Sequence, residues 1–345
     1  MKQLKSILAI SILFALSPHA FANKTELTVY TALETDQIKT YQKAFNAVHP
    51  DIQLRIVRDS TGVIVSKLLA EKSNPKADVV WGVAITGLGV LKQQQMLQPY
   101  APQNLVNIKS DYRDSHNPPY WWGLDVTGAV VCFNTIEAEK RHLPKPESWH
   151  DLLKPIYQGQ IVMPDPTSSG TGYFDVVSWL QMWGDEQGKG GGWQFMDGLH
   201  KNIAQYTHSG SKPCNMAATG EYVIGISFEY RGHTNKAKGA PIDLIFPSEG
   251  LGWDVEAFAI HVGTKKLPAA KILADWASST EAMKLYGKSF AITGQPGVAE
   301  KLSNIPDDYE SRLIPMNFDL AASERNTILK EWSSRYANKS EPKNK

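Results

Sequence analysis

Residues 52–69 read IQLRIVRDSTGVIVSKLL, a stretch that predicts in succession a strand, a turn and a helix. Apolar residues alternate over residues 52–56, as they do in a half-buried strand, and they recur at helical spacing over residues 64–69. Between the two patterns, the turn Ser60-Thr61-Gly62 places hydroxyl groups where a helix needs an N-cap. The stretch therefore indicates a strand that ends in a polar turn and leads into an amphipathic helix.

The same order of elements continues on both sides of this stretch. Residues 27–30 form an apolar run before a helical pattern over residues 38–48, and residues 78–81 supply the next strand. A second block of strands and helices follows between about residues 148 and 248. Alternation of this kind is typical of parallel sheets covered by helices. The sequence therefore predicts an α/β protein.

Length and composition favour two lobes and exclude several classes of protein. The chain has 345 residues, of which 42% are hydrophobic and 21% are charged, which is globular composition and enough length for two cores. Its 36 basic and 35 acidic side chains give a net charge of +1, so no overall basic field exists to hold nucleic acid or an anionic membrane. A charged ligand must be recognised by local groups.

The first 22 residues have the pattern of a secretory signal peptide. Lys2 and Lys5 precede an apolar run over residues 7–16, and Ala20-Phe21-Ala22 supplies a small-x-small cleavage site. No Cys follows that site, which argues against a lipid anchor. We therefore expect cleavage after Ala22 and a soluble mature protein in a bacterial periplasm.

Two cysteines, Cys132 and Cys214, leave two alternatives open. An oxidising compartment would permit one disulfide between them. Two separately buried thiols are the other alternative, because Cys132 lies within an apolar run. Without a nearby pair of histidines, the two cysteines do not predict a zinc site.

A second polar turn, Ser168-Ser169-Gly170-Thr171-Gly172, also follows a strand and precedes a helix. Helix N-termini carry unpaired N–H groups and partial positive charge, so the turns at 60–63 and 168–172 are candidate anion sites. The alternative for each turn is a purely structural cap. Neither turn has the Gly-Lys-Ser/Thr ending of a phosphate-binding P-loop, and Ser169 does not lie in the GxSxG motif of a hydrolase. Binding is therefore favoured over catalysis.

Acidic and aromatic residues follow the predicted strands, at the position where open α/β sheets bind ligands. Glu229 and Tyr230 follow a strand over residues 223–228, and a carboxylate there needs a cation; the alternatives are an ion pair with Arg231 or a solvated side chain. Trp81 ends the third strand and could cover an ammonium group, although packing is the usual role of Trp. Further acids near the predicted crossovers between the lobes are Asp125, Asp254 and Glu256.

A resemblance to a known family rests on the signal peptide and on the runs LTVYTALE (27–34), KADVVW (76–81) and PTSSGT (166–171). These pieces resemble periplasmic substrate-binding proteins of ABC importers, in the ferric-ion-binding-like, type II cluster. Within that cluster the 2-aminoethylphosphonate-binding members are similar at RDSTG (58–62), YTHSGSKPC (206–214) and GISFEYR (225–231). The resemblance covers nearly the whole mature chain. It implies a type II periplasmic-binding-protein fold, with two α/β lobes, a cleft and two crossing hinge strands, and it implies a membrane permease and its ATPase as partners.

The same resemblance bears on metal binding. In the ferric members a His after the first strand, a Glu after the third and two adjacent Tyr hold the iron, and the matching positions here are Glu34, Val83, Glu229 and Tyr230. Only one of the four ligands is kept, and ferric iron needs several anionic oxygen ligands at once. The family's anion turn is retained at Ser169-Gly170-Thr171. Anion binding is therefore expected, without a metal or a cofactor.

The ligand that this resemblance implies is 2-aminoethylphosphonate. The residues expected at the phosphonate are Ser60, Thr61, Gly62, Val63, Ser169, Gly170 and Thr171. Glu229 is the first choice for the carboxylate that receives the ammonium group, and Asp254 is the second. Tyr230, Trp81 and Leu33 are expected beside the ammonium group and the carbon chain.

The expected architecture is two lobes joined by strands near residues 125–127 and 253–256, which close on a ligand in a monomeric protein. The expected segments are a signal peptide (1–22), lobe 1 (23–126), lobe 2 (127–253), a return to lobe 1 with C-terminal helices (254–337) and a disordered tail (338–345). Rival ligands are ferric ion with an anion, phosphate or a polyamine. The rival of a different class is a periplasmic hydrolase that uses Ser169.

Overall fold

The computed structural model describes residues 24–185 and 190–342. The expected signal peptide, residues 1–22, lies outside the described residues. Within the described ranges no helix is both long enough and apolar enough to cross a membrane.

Strands and helices alternate through most of the chain. The strands are β1 (Thr25–Thr31), β2 (Ile52–Arg58), β3 (Val79–Ala84), β4 (Leu97–Gln98), β5 (Trp122–Asn134), β6 (Ile161–Pro164), β7 (Ile203–Thr207), β8 (Ile224–Phe228), β9 (Ile242–Ile245) and β10 (Trp253–His261). The helices are α1 (Thr35–Val48), α2 (Thr61–Ala70), α3 (Ile85–Gln93), α4 (Thr135–Lys140), α5 (Gly170–Trp183), α6 (Gly191–Asn202), α7 (Lys212–Thr219), α8 (Glu229–Ala237), α9 (Leu267–Ala277), α10 (Thr280–Tyr286), α11 (Phe318–Ser323) and α12 (Arg325–Tyr336).

The strand order divides the sheet between two lobes. The order is β2-β1-β3-β10-β5-β8-β6-β7, with β4 paired to β10 and β9 paired to β5. In lobe 1, β1 lies parallel between β2 and β3. In lobe 2, β6 lies parallel between β7 and β8. The predicted α/β fold with two lobes is confirmed, because each lobe has its own strand–helix units around parallel strands.

The strands β5 and β10 join the two lobes. They pair antiparallel, from Trp253 opposite Gly128 to Phe258 opposite Trp122. β10 also pairs with β3 of lobe 1, whereas β5 continues into lobe 2 and pairs there with β8 over residues 129–133. The two predicted hinge strands are therefore confirmed, and they run beside each other.

Each lobe buries its own apolar core, and the C-terminal helices divide between them. Residues of β1, β3, α9 and α10 belong to the first core, and residues of β6, β8, α5 and α6 belong to the second. α12 joins the second core through Ile328, Trp332 and Tyr336, and the Trp332 ring meets the Tyr206 ring edge-on, with 4.8 Å between centroids. This placement differs from the expected return of residues 254–337 to lobe 1, because the aromatic face of α12 has its partners in lobe 2.

The segment that follows α12 pairs with the edge of β7. The Glu341 N–H donates to the Tyr206 carbonyl at 2.8 Å, and the Ser340 hydroxyl donates to Asp165 Oδ2 at 2.6 Å. An exposed strand edge offers unpaired backbone groups, and this segment satisfies them. The expectation of a disordered tail from residue 338 is therefore corrected for residues 338–341.

Cys132 and Cys214 form a disulfide. The bond connects β5, a hinge strand, to α7 of lobe 2, and both cysteines are fully buried. Of the two alternatives left open by the sequence, the structure has the bridge. The bond closes a loop with a sequence separation of 82 residues.

Replacing both Cys132 and Cys214 by Ala is expected to lower the free energy of unfolding by about 4 kcal/mol, because the bridge restricts the unfolded chain. Urea unfolding of the mature protein, with and without a reductant, measures the effect. Reductant should shift the unfolding midpoint of the parent protein and leave that of the double variant unchanged. Equal stability of parent and variant under oxidising conditions would contradict the expectation.

Candidate functional site

Two helix starts face each other across the cleft. α2 begins at Thr61 after Ser60, and α5 begins at Gly170 after Ser169. The Ser169 hydroxyl accepts the Gly172 N–H at 3.2 Å, whereas the Ser60 side chain makes no such cap. The structural alternative of a helix cap therefore accounts for Ser169, and the Ser60 hydroxyl is available to a ligand.

The lobes touch each other at these two turns. The Gly62 N–H of lobe 1 donates to the Ser168 carbonyl of lobe 2 at 2.9 Å. A Cβ atom on Gly62 would lie 2.4 Å from the Thr167 carbonyl oxygen, and one on Gly170 would lie 2.8 Å from the Thr61 hydroxyl. The cleft is therefore closed in this structure, and two glycines permit the approach.

A cavity of about 40 Å³ lies between the turns and the hinge strands. The turns contribute hydroxyl groups, the hinge strand β10 and the segment after β1 contribute carboxyl groups, and Phe174 and Phe228 contribute apolar surface. Among the residues expected at the phosphonate, those that line this cavity are Ser60, Thr61, Ser169, Gly170 and Thr171. Gly62 and Val63 instead line a separate groove, because the backbone turns away from the cavity where Gly62 meets lobe 2.

Glu229 lies behind the cavity wall. Its Oε2 accepts the Gly128 N–H at 2.8 Å and the Thr127 hydroxyl at 3.3 Å, and Thr127 itself lines the cavity. The side chain is fully buried, and its Oε1 has no hydrogen-bond partner among the described residues. Burial raises the pKa of Glu229 to about 8. The first choice of the sequence for the ammonium group is thus near the cavity without lining it.

Asp254 lines the cavity, but its oxygens are largely engaged. Oδ1 accepts the N–H groups of Ile85 at 3.0 Å and Val255 at 2.7 Å, and Oδ2 accepts the Thr86 hydroxyl at 2.6 Å. These bonds cap the start of α3, whose own N-cap residue, Ala84, has no capping side chain. Burial raises the pKa of Asp254 to about 6. Asp254 therefore connects the hinge to lobe 1.

Glu256 is the lining acid with a free oxygen. Its Oε2 is shielded from solvent and has no hydrogen-bond partner among the described residues. Burial, together with the charges of Glu229 and Glu34, raises the pKa of Glu256 to about 8. Sequence reasoning named Glu256 only as an acid near the crossover. Alternation along β10 places it on the same face as Asp254, and that pattern was a signal for its position.

Glu34 also lines the cavity and pairs with arginines of both lobes. Its Oε1 lies 3.2 Å from an Arg58 nitrogen and its Oε2 lies 3.0 Å from an Arg231 nitrogen. Arg231 belongs to α8 of lobe 2, so its ion pair with Glu34 spans the cleft. Sequence reasoning offered Arg231 as a partner for Glu229, and the structure pairs it with Glu34 instead.

Three residues expected beside the ligand lie outside the cavity lining because packing uses their side chains. Trp81 is 1% exposed, and its indole N–H donates to the Tyr286 hydroxyl at 3.3 Å. Leu33 is also buried, over Gly82, where a Cβ atom would lie 2.3 Å from its Cγ. Tyr230 packs on the Phe290 ring at 5.4 Å. In this structure the three side chains therefore pack in the cores and do not line the cavity.

The family described as bacterial extracellular solute-binding protein matches residues 74–317. The chain belongs to this family. A relative from Sinorhizobium fredii, a probable ABC transporter periplasmic-binding protein, is 26% identical over 262 residues, which are 74% of this chain and 70% of the relative.

Solved structures of solute-binding proteins share the fold. The periplasmic binding protein AfuA from Actinobacillus pleuropneumoniae, with fructose-6-phosphate bound, has a TM-score of 0.84 and 28% identity, covering 91% of this chain and 99% of that one. The apo ferric ion-binding protein A of Pasteurella haemolytica has a TM-score of 0.72 and 19% identity, covering 90% and 98%. The type II periplasmic-binding-protein fold is thereby established for this solute-binding protein.

The donor set of this solute-binding protein differs from a ferric site. Among the described residues, no group of three or more His, Cys, Asp or Glu side chains could hold a metal ion. At the positions matched to the iron ligands, Glu34 is paired with arginines, Val83 is apolar and Tyr230 is packed in a core. Hard ferric iron needs anionic oxygens together, and this arrangement does not supply them.

Substituting Gly62→Ala is expected to weaken ligand binding by about tenfold, because overpacking at the lobe contact costs roughly 1–3 kcal/mol in the closed state. Titration calorimetry of the mature protein with 2-aminoethylphosphonate, the ligand that the sequence resemblance implies, measures the loss. Gly198→Ala is the matched control, since the nearest atoms to its Cβ would belong to the flexible Leu153 side chain, at 3.3 Å. Binding by Gly62→Ala at the parent's affinity would contradict the role of this contact in closure.

Proposed function

We propose that this protein is the periplasmic solute-binding component of an ABC importer and that it binds 2-aminoethylphosphonate in the cleft. One observation carries the proposal: the cavity is lined by hydroxyl groups at two helix starts and by carboxyl groups from the hinge side. A small molecule with a phosphonate and an ammonium group complements both linings.

The phosphonate is assigned to the two turns. Helices α2 and α5 begin there, one in each lobe, and their N-termini provide partial positive charge and N–H groups. The hydroxyls of Ser60, Thr61 and Thr171 are donors for phosphonate oxygens. An anion held by both helix starts stabilises the closed state, since each lobe supplies part of its binding site.

The ammonium group is assigned to the acidic lining. Arg58 and Arg231 are already engaged with Glu34, and the free oxygen of Glu256 has no donor among the described residues. A buried acceptor without a donor costs free energy, and an ammonium group offers three donors. The acidic lining therefore favours a cationic group over a second anionic one.

The size of the cavity favours a short ligand. In this closed structure its volume is about 40 Å³, so a long ligand would have to hold the lobes apart. 2-Aminoethylphosphonate has two carbons between its charged groups, so it can reach both linings without a long chain.

The role of this protein in an ABC importer is supported by the matched family and by the relative described as a probable ABC transporter periplasmic-binding protein. Delivery then requires a membrane permease and its ATPase as partners. The closed cleft places residues of both lobes side by side, as the cross-lobe contact of His208 Nε2 with Asp59 Oδ1 at 3.0 Å illustrates. Such a composite surface distinguishes the ligand-bound protein for a permease. The same proposal places the mature, monomeric protein in the periplasm.

A sugar phosphate is the second candidate ligand. It is favoured by the similarity to AfuA, whose structure holds fructose-6-phosphate. The phosphate would occupy the two turns as the phosphonate does, and sugar hydroxyls would meet the carboxyl groups. The small cavity favours the aminophosphonate between these two.

Catalysis by Ser169 has less support. Its hydroxyl accepts the Gly172 N–H, and no His lines the cavity among the described residues. A nucleophilic Ser requires a base within hydrogen-bond reach. The matched family and the solved relatives are binding proteins.

A thermal-shift panel tests the proposed ligand, because a ligand that binds the folded state raises the melting temperature. The panel contains 2-aminoethylphosphonate, fructose-6-phosphate, phosphate, ethanolamine, ferric citrate and putrescine. We expect the largest rise with 2-aminoethylphosphonate and little with ethanolamine or phosphate, which offer one charged group each. A larger rise with fructose-6-phosphate would favour the second candidate, and a rise with ferric citrate or putrescine alone would refute the proposed ligand.

Substituting Ser60→Ala is expected to weaken binding of 2-aminoethylphosphonate about tenfold while leaving the melting temperature of the ligand-free protein nearly unchanged, because this hydroxyl caps no helix. Ser279→Ala is the matched control. The Ser279 hydroxyl caps α10 by accepting the Ala282 N–H, so its loss should lower stability by about 1 kcal/mol and leave affinity unchanged. Unchanged affinity in Ser60→Ala would remove this hydroxyl from the proposed site.

A further inference from the structure

Two carboxyl groups face each other where the hinge strands pair. Asp125 of β5 and Glu256 of β10 are direct cross-strand partners, so their side chains lie on the same face of the sheet. Direct cross-strand partners have Cβ atoms about 4.5–5.5 Å apart, so the two carboxyl groups are close enough to act on each other. Ionised carboxylates only accept hydrogen bonds, so a direct hydrogen bond between the two requires a proton on one of them.

The surroundings of the pair supply no compensating cation. Both Asp125 oxygens and Glu256 Oε2 lack a hydrogen-bond donor among the described residues, and Asp125 is fully buried. The titratable and charged groups that face the pair are Glu229 and Arg231 of α8, Glu34 after β1, Arg58 of β2, Tyr41 of α1, Asp254 of β10, Tyr286 of α10 and Tyr309. The two arginines bind Glu34. The remaining acids repel a second negative charge on the pair.

Glu256 and Asp125 differ in their access to a ligand. Glu256 lines the cavity, whereas Asp125 lies behind it with no exposed surface. A cation in the cavity can therefore approach Glu256 directly and can influence Asp125 only through it. An opposite charge within about 4–6 Å favours the ionised form of a carboxyl group.

We propose that Glu256 receives the ligand's ammonium group, and that Asp125 is a positioning residue that shares one proton with Glu256 until the ligand arrives. This inference rests on the proposed function and names the residue and the regulation of that site. When the ammonium group binds, the shared proton passes to the solvent and both carboxyl groups become ionised. One positive charge enters as one proton leaves, so the charge of the site is balanced.

The proton exchange makes binding dependent on pH. Burial and the neighbouring acids raise the pKa of both Asp125 and Glu256 above the usual range of carboxyl groups. While the pair holds its shared proton the ligand must displace it, so affinity rises with pH and levels off once the pair has ionised. In the ligand-free protein these raised pKa values stabilise the fold at low pH, and the stabilisation is lost as the pH rises through the folded-state pKa.

The first experiment needs no ligand. The melting temperature of the mature protein is measured between about pH 6 and pH 9 for the parent and for Asp125→Asn, which removes the shared proton. We expect a decline with pH in the parent and a clearly smaller decline in the variant. Equal declines of the melting temperature in the parent and the variant would contradict the proposal that the pair shares a proton. Carbon-13 NMR of labelled carboxyl groups in the parent reads the same titration if the variant fails to fold, and the absence of any carboxyl that titrates near pH 8 overturns it as well.

The second experiment tests the coupling. Calorimetry with 2-aminoethylphosphonate at neutral pH, in buffers of different ionisation enthalpy, gives the number of protons released. The same ligand is used with the parent and with Glu256→Gln, so protons released by the phosphonate itself cancel. We expect the parent to release about one proton more than the variant, as the displacement of a bound proton requires.

A ligand without the amine completes the test. Above pH 8, the ratio of affinities for 2-aminoethylphosphonate and ethylphosphonate should be roughly tenfold or more in the parent and near one in Glu256→Gln, a loss of at least 1.4 kcal/mol of discrimination. Equal proton release by parent and variant, or an unchanged ratio, overturns the role of Glu256. Binding of neither phosphonate refutes the proposed function and with it the coupling, while the ligand-free titration still decides whether the pair shares a proton.

Discussion

The antiparallel pairing of β5 with β10 is the constraint on which the cleft depends. Backbone hydrogen bonds along this ladder hold the two lobes together, and each strand is anchored in a parallel sheet, β10 through β3 and β5 through β8. Groups on the ladder are therefore held by the sheets of both lobes. Asp254 reinforces one anchor, because it caps α3 from β10. The acids that line the cavity from β10 therefore stand on the ladder itself, while the turns at α2 and α5 lie one in each lobe.

This geometry places an unfavourable set of charges at the centre of the molecule. Burial raises the pKa values of Asp125, Glu229 and Glu256, and repulsion by neighbouring carboxylates raises those of Asp125 and Glu256 further. Stability alone does not account for such a set, since apolar side chains of similar size would avoid the cost. The disulfide from Cys132 to Cys214 stabilises the same hinge strand from the side of lobe 2. Burial of these carboxyl groups lowers stability locally, and other interactions of the fold offset that loss, as is expected of a candidate binding cleft.

The sequence predicted the order of elements well, since the apolar run of β1 and the alternation in β2 are local patterns that packing does not reverse. It also located both polar turns, because Ser and Thr between a strand pattern and a helix pattern are a local signal for the start of a helix. The sequence did not predict contacts between residues that are distant in the chain. Trp81 and Leu33 turn into the first core, and α12 joins the second, because partners distant in sequence cover them. The choice between Glu229 and Glu256 likewise depends on which residue the Gly128 N–H and the Thr127 hydroxyl bind.

Glu229 and Glu256 show that the residue at a family's ligand position need not be the residue that reaches the cavity. Glu229 stands where an iron-binding relative has a Tyr, yet its Oε2 holds Gly128 and Thr127 of the hinge strand in place. Glu256 presents a free oxygen at the cavity. Glu229 thus holds the cavity wall in place through hydrogen bonds, and Glu256 has an oxygen available to a cation. A ligand with only an anionic group would satisfy the helix starts and leave the acid without a donor, whereas a ligand with only a cationic group would leave the helix starts without an anion. Closure of both lobes is favoured most when one small molecule satisfies the two linings together.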